Sequence, residues 1–146
     1  MNTSDRFKPV IKVAANREAT AARKFGESQK LQHEEENKLA NLRQYHAEYM
    51  ARFQQSASSG MNANQLREYQ AFLSKLETAI NEQEDVVRRS RDNCTQHKQQ
   101  WTEKHIRTQT MDKAMNRLKD NEQKQRDALE QKMSDEIALR ISRSTH

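Results

Sequence analysis

Glycine and proline are almost absent from this 146-residue sequence, which contains two glycines and one proline. Flexible linkers and disordered chains are usually rich in both residues. Here long uninterrupted tracts are built from Ala, Glu, Gln, Lys, Arg, Leu and Met, all of which favour helices. The scarcity therefore excludes a linker-like chain and favours long helices.

Apolar residues are also few, since 33% of the chain is hydrophobic and 32% is charged. A thick three-dimensional core needs more apolar surface than this composition provides. Long helices that each bury one narrow stripe need much less. We therefore expect an all-α protein.

Cysteine and long apolar runs are missing as well. The single cysteine, Cys94, excludes an intramolecular disulfide, fits a reducing compartment and is expected to pack as a small hydrophobic residue. No apolar run is long enough to cross a bilayer, and no apolar segment follows the first residues. We expect a cytoplasmic protein that reaches a membrane only through a protein partner.

The sequence contains no motif of an enzyme or a metal site. A glycine-rich phosphate loop, a nucleophile elbow and an HExxH motif are all lacking. We interpret His33, beside Glu34, Glu35 and Glu36, as part of a solvated helix face, with a metal site as the alternative. We therefore expect no catalytic residues, no cofactor and no metal.

A strongly basic segment is absent too, although the net charge is +5. Acidic residues are interspersed throughout, and the densest basic cluster follows directly after three acidic residues: Arg88, Arg89 and Arg91 after Glu82, Glu84 and Asp85. Such mixing weakens a surface that would bind phosphates. Direct nucleic-acid binding is not expected, and a basic helical RNA-binding arm remains an alternative function.

What the sequence does contain is two helical segments in one coiled-coil domain, 1–146. Ser4 or Asp5 would cap the first helix, placed at about 5–55, and Pro9 is tolerated near its first turn. Residues 56–64 have turn composition around Gly60, and Asn62 or Asn64 would cap a second helix at about 65–141. Gly26 is interpreted as a site of close packing, with a weak point in the helix as the alternative.

Steps of alternately four and three residues select one stripe on each helix, which we call the seam. It is enriched in apolar residues. In the first helix the seam positions are Phe7, Ile11, Ala14, Glu18, Ala21, Phe25, Ser28, Gln32, Glu35, Leu39, Leu42, His46, Tyr49 and Phe53. In the second they are Tyr69, Leu73, Leu76, Ile80, Gln83, Val87, Ser90, Cys94, His97, Trp101, Lys104, Thr108, Met111, Met115, Leu118, Glu122, Gln125, Leu129, Lys132, Glu136 and Leu139.

The two seams match each other in antiparallel order. Positions 53 and 69, and likewise 46 and 76, have numbers that total 122, so a single register pairs both stripes. This predicts a long antiparallel two-helix coiled coil, a helical hairpin, that satisfies its own seams. The isolated protein is therefore expected to be a monomer.

Two apolar surfaces are left over by this pairing. The first helix ends near the partner of residue 117, so the second helix continues as an overhang. Every fourth residue of the overhang is apolar, and these residues form a surface that we call the overhang face. They have no expected partner within the chain: Leu129, Met133, Ile137 and Ile141. The second surface, which we call the turn patch, comprises Leu42, Tyr45, Tyr49, Phe72, Leu76 and Ala79. Leu42, Tyr49 and Leu76 are also seam positions, so packing within the hairpin is the alternative for them.

Several segments resemble the flagellar FliJ family. The stretch 69–80 resembles its second-helix signature, and the first-helix counterpart is Leu42, Tyr45, Glu48 and Tyr49. The C-terminal segment is also similar, at Glu130, Gln131, Lys132, Asp135, Glu136 and Arg140. The resemblance implies a coiled coil similar to the central stalk of rotary ATPases, acting in bacterial flagellum biogenesis and thus motility and chemotaxis.

Three partners are implied by this resemblance: the ring of the flagellar export ATPase, the membrane export gate and the export chaperones. The turn patch matches the gate-binding surface of the family, and the overhang face is expected to pack inside the ATPase ring. The expected location is peripheral, at the cytoplasmic face of the inner membrane at the flagellar base. Lys38 and Gln83 depart from the residues that are usual in the gate-binding surface, a glutamine and a histidine. An injectisome stalk protein and a generic structural coiled coil remain alternatives.

Overall fold

The computed structural model describes residues 2–145. It contains helix α1, Thr3–Ser58, and helix α2, Ala63–Ser144, and the described residues include no strand. The two helices pack against each other, which confirms the all-α fold class and the helical hairpin. Both helices are a few residues longer at each end than the ranges 5–55 and 65–141 expected from the sequence, and the connection between them is correspondingly short.

The start of α1 differs from the expected one. The carbonyl of Asn2 accepts a hydrogen bond from the Asp5 amide at 3.1 Å, so Ser4 and Asp5 lie inside the helix rather than capping it. Pro9 consequently lies in the second turn of α1. In the first turn a missing N–H would cost no intrahelical hydrogen bond, whereas at Pro9 it does. A carboxylate of α2, that of Glu122, anchors the first turn, and this interaction was not predicted.

The connection between the helices is built as expected. Gly60 has a φ of 92°, in the left-handed region that side chains with a Cβ disfavour. The Asn62 side chain accepts a hydrogen bond from the Gln65 amide at 2.8 Å, and the Gln65 side chain accepts one from the Asn62 amide at 3.4 Å. This reciprocal pair is a capping box, and it confirms Asn62 as the cap of α2.

The interpretation of Gly26 as a site of close packing is wrong. Gly26 lies on the exposed side of α1, and a Cβ built at this position would meet no atom within 4 Å. It therefore makes no close approach to a neighbouring element. What remains is the alternative, a residue of low helix propensity within a continuous helix.

The chain divides into two compact units, and residues 21–101 form the one that contains the turn. Every seam position from Ala21 to Phe53 and from Tyr69 to Trp101 is buried or partly buried in this unit. Leu39, Leu73, Val87 and Cys94 are the apolar residues buried most completely. The Phe53 and Tyr69 rings, paired by the predicted register, lie 5.8 Å apart between centroids. The predicted stripe and its pairing are thus found in this unit.

The other unit consists of residues 1–20 and 102–146. Its buried apolar residues are Ala14 and Met115, both seam positions. Burial continues to Glu122, further than the limit near 117 expected from the register, and every described residue after Glu122 is exposed. The predicted overhang is therefore present but begins somewhat later. Phe7, a predicted seam residue, is exposed.

No helix within residues 2–145 is long and apolar enough to span a membrane.

Candidate partner-binding surfaces

The turn patch is only partly a surface. Tyr45 is 58% exposed and Phe72 is 36% exposed. The other four members are partly buried: Leu42, Tyr49, Leu76 and Ala79. Seam packing thus takes up part of the surface of Leu42, Tyr49 and Leu76, as the alternative interpretation held. Tyr45 is the member that offers the largest fraction of its side chain to a partner.

Aromatic rings from both helices form a cluster beside the turn. The Tyr49 ring lies against Phe72 at a centroid distance of 4.2 Å and against Tyr69 at 5.7 Å. Phe53 contacts Tyr69 in turn. Such offset and tilted ring contacts add stability beyond the burial of apolar area. The Phe72 ring therefore packs against Tyr49 while part of it remains exposed.

The two positions that depart from the family pattern meet at one carboxylate. The Gln83 side-chain amide donates to Oε2 of Glu35 at 2.6 Å and to its carbonyl at 3.0 Å, and Lys38 Nζ lies 3.3 Å from Oε1. The hydrogen bond from Gln83, followed by that from Lys38, holds the pKa of the Glu35 carboxyl below its ordinary value. Lys38 and Gln83 thus belong to one polar cluster that links the helices. Sequence reasoning named both residues but did not find Glu35 as their shared partner.

Ion pairs engage several of the basic side chains in the same unit. Arg43 bonds to Glu84 at 3.0 Å and Arg91 bonds to Glu36 at 2.9 Å, both across the helices. Arg88 pairs with Asp85 at 3.1 Å. Two of the three arginines in the densest basic cluster are therefore engaged by carboxylates, which disfavours a phosphate-binding surface there.

The overhang face is exposed at all four positions. Leu129, Met133, Ile137 and Ile141 are 55–62% exposed, and they lie beyond Glu122, the last described residue that is partly buried. Helices with one apolar stripe normally bury it against another element. The overhang face therefore has the character of a docking surface.

A carboxylate of α2 ties down the beginning of α1 at the point where the overhang starts. Glu122 accepts hydrogen bonds from the Ser4 amide at 3.0 Å and from the Ser4 hydroxyl at 2.7 Å. The first amides of a helix lack intrahelical partners and favour negative charge, so this carboxylate acts as a cap supplied by the other helix. The hydroxyl and amide of Ser4 hold the pKa of Glu122 below its ordinary value. We call this contact the terminal clasp.

A second carboxylate bonds across the helices nearby. Oε1 of Glu18 lies 2.6 Å from Nδ1 of His105, so the ring N–H donates to the carboxylate. This hydrogen bond lowers the pKa of Glu18. Both residues lie on or next to the seam, and the sequence did not indicate that they would pair.

Two seam residues with reactive or aromatic side chains are packed within the hairpin. Cys94 is buried in the seam, and Trp101 stacks on Phe25 at a centroid distance of 6.1 Å. Within residues 2–145, no group of three or more potential ligands is arranged to hold a metal ion, and His33 is exposed. Exposed large apolar or aromatic side chains are found in the turn patch, at Tyr45 and Phe72, and throughout the overhang face.

The sequence matches the family described as Flagellar FliJ protein over residues 3–145, essentially the whole chain. No curated protein and no solved structure matches it. The match covers both candidate surfaces.

Proposed function

The chain belongs to the flagellar FliJ family and is a component of the flagellar protein export apparatus, and we propose that it serves there as a stalk that docks in the ring of the export ATPase. The family comprises structural, chaperone-like export components. In this proposal the chain also engages the export gate and escorts export chaperones, at the cytoplasmic face of the membrane at the flagellar base.

One observation carries the ring-docking proposal. The overhang face exposes four large apolar residues, one at every fourth position, beyond the last described residue that is partly buried. Exposed apolar surface of this kind is costly in water and is typical of an interface. A ring with an apolar inner surface would bury the face without any rearrangement of the hairpin.

Deletion of residues 123–146 tests this role. We expect the truncated chain to lose stimulation and assembly of the export ATPase while its helices still unfold as before, because no described residue beyond Glu122 is buried. A finer test replaces two residues of the overhang face, Met133→Ser with Ile137→Ser. Its matched control is Ile106→Ser with Leu139→Ser, which removes apolar side chains of equal exposure, 55% and 57%, from other positions. Equal stimulation by the two double variants would refute docking through the overhang face.

The turn patch is proposed to bind the gate through Tyr45 and Phe72. Exposed aromatic side chains commonly dominate small interfaces, and their truncation costs about 2 kcal/mol or more, roughly thirtyfold in affinity. Tyr45→Ala and Phe72→Ala should therefore weaken binding to the cytoplasmic part of the gate protein. Leu66→Ala is a matched control, since Leu66 is 37% exposed against 36% for Phe72 and lies outside the turn patch. A loss of binding in the control as large as that in Tyr45→Ala would contradict the assignment.

A further inference from the structure

A groove that neither candidate surface includes runs between the helices in the unit formed by residues 1–20 and 102–146. It encloses about 210 Å³, and its lining comes from Val10, Val13, Ala14 and Arg17 of α1 and from Lys104, Arg107 and Met111 of α2. These residues lie before the overhang, alongside the paired part of α2. We call this feature the cationic groove.

The floor of the cationic groove is apolar. Val10 and Val13 are 49% and 48% exposed, although each directly precedes a seam residue that is partly or fully buried, Ile11 and Ala14 respectively. Met111 completes the floor from α2. Exposed β-branched residues beside a seam widen the apolar stripe beyond what two helices need for their own pairing.

The charge on the groove is of one sign. Its charged lining residues are Arg17, Lys104 and Arg107, and no acidic residue lines it. Among residues 2–145 none of these three side chains forms an ion pair, in contrast to Arg43 and Arg91, which are paired across the helices elsewhere. The neighbouring carboxylate of Glu18 is already held by His105 at 2.6 Å. An anionic group arriving at the groove would therefore meet positive charge that no internal carboxylate neutralises.

We propose that the cationic groove binds an acidic amphipathic helix of a partner protein. From Val10 to Arg17 the groove extends roughly 10 Å along α1, about two helical turns at 1.5 Å per residue. A docked helix would place apolar side chains on Val10, Val13 and Met111, and carboxylates on its flanks would reach Arg17 and Arg107. This is helix-in-groove recognition, in which apolar anchors supply affinity and the charged rim selects the partner. The site is separate from the surfaces proposed for the ring and the gate.

The test uses the full chain and a synthetic probe. The probe is a capped peptide of about 16 residues, long enough for partial helicity, with leucines at helical spacing and glutamates on both flanks. Two control peptides replace the glutamates by lysines or scramble the order of the same residues. We expect the acidic peptide alone to bind, with a dissociation constant of about 100 μM for so small a contact. Methyl NMR signals of Val10, Val13 and Met111 should shift on binding.

Substitution of the arginines that line the cationic groove tests whether their charge contributes to peptide binding. Arg17→Glu with Arg107→Glu should weaken peptide binding by about tenfold or more. The matched control, Arg67→Glu with Arg89→Glu, changes the net charge equally at two exposed arginines of the other unit and should leave the affinity within about twofold. Arg17→Gln with Arg107→Gln gives an intermediate loss without introducing repulsion. Circular dichroism checks that all variants remain helical.

Three results would overturn the proposal. One is the absence of binding at a peptide concentration of about 1 mM, tenfold above the expected dissociation constant. A second is equal binding of the lysine or scrambled peptide, or an equal loss in the Arg67 and Arg89 control. The third is a set of methyl shifts confined to Ile137 and Ile141, which would move the binding to the overhang face. All readouts use the isolated chain, so they are independent of ring docking.

Discussion

The turn patch and the overhang face are both apolar surfaces with aromatic or aliphatic residues at helical spacing, yet they relate differently to the rest of the molecule. In the turn patch, Tyr49 and Phe72 contact each other across the helices at 4.2 Å. In the overhang face every residue is more than half exposed. The packed residues of the turn patch therefore contribute to folding as well as to any interface, whereas the overhang-face residues are available mainly to an interface.

The largest effect should come from the centre of the aromatic cluster. Tyr49→Ala should lower the free energy of unfolding by about 3 kcal/mol, because it removes ring contacts with Tyr69 and Phe72 and leaves a cavity. Tyr45→Ala, on the exposed part of the same patch, should change it by no more than about 0.5 kcal/mol. Urea denaturation of both variants measures the difference. Equal losses of stability would contradict the assignment of Tyr49 to packing and of Tyr45 to the surface.

The two glycines should respond in opposite directions. Gly60→Ala should destabilise the chain by about 1 kcal/mol or more, since a Cβ is disfavoured at its φ of 92°. Gly26→Ala should stabilise it by about 0.5–1 kcal/mol, because alanine favours the helix and the added methyl meets no atom. Thermal unfolding of the two variants provides the comparison. A destabilised Gly26→Ala would restore the close-packing interpretation.

Acid should lower the free energy of unfolding of the region in which α1 and α2 pair, and it should leave the overhang unaffected. The pKa values of Glu18, Glu35 and Glu122 are held below their ordinary value of 4.5 by hydrogen bonds across the helices. A lowered folded-state pKa contributes stability that is fully present above pH 4.5 and is lost as the pH falls through the lowered value. The effect should be modest because these carboxylates lie near solvent.

Urea denaturation at neutral pH and at pH values below 4.5 measures this dependence. The triple variant Glu18→Gln, Glu35→Gln and Glu122→Gln should show a flatter profile in acid. The control variant replaces Glu130 and Glu136 of the overhang by glutamine and should retain the profile of the parent chain. A profile unchanged by the triple variant would show that these carboxylates do not couple folding to pH.

The smallest effect should come from the overhang face. Ile137→Ala should change the free energy of unfolding by less than about 0.5 kcal/mol, because the side chain is 55% exposed and packs against no other element. A comparable truncation at a buried seam residue, Leu73→Ala, is the positive control and should cost about 2 kcal/mol. A clear loss in Ile137→Ala would reveal packing of the overhang that the structure does not contain.

Heptad counting predicted much of the fold because a coiled coil is specified by spacing. The steps of four and three identified the buried stripe from Ile11 to Phe53 and from Tyr69 to Glu122, and the register placed Tyr69 against Phe53. Turn chemistry located Gly60 and offered Asn62 or Asn64 as the cap, of which the structure uses Asn62. The stripe and the turn are both specified by residues close together in the chain, and the register then follows from matching the two stripes.

The contacts that were missed depend on where long polar side chains reach. The pairing of Glu35 with Gln83, the pairing of Glu18 with His105 and the capping of α1 by Glu122 all cross between helices. Spacing alone does not select among the rotamers of glutamate and glutamine. The cationic groove was missed for a different reason: Val10 and Val13 lie beside the seam, so counting heptad positions does not select them.

The terminal clasp has a consequence for the order in which the molecule assembles. Ser4 and Glu122 are separated by 118 positions in the chain. Closing a flexible loop of that length costs about 4 kcal/mol in chain entropy, from (3/2)RT ln n. A few hydrogen bonds near solvent cannot offset such a cost, so the clasp can close only on a chain whose helices have already paired and shortened the effective loop. Protection of the Ser4 amide from hydrogen exchange would therefore report completed folding of the hairpin rather than the local stability of the first turn of α1.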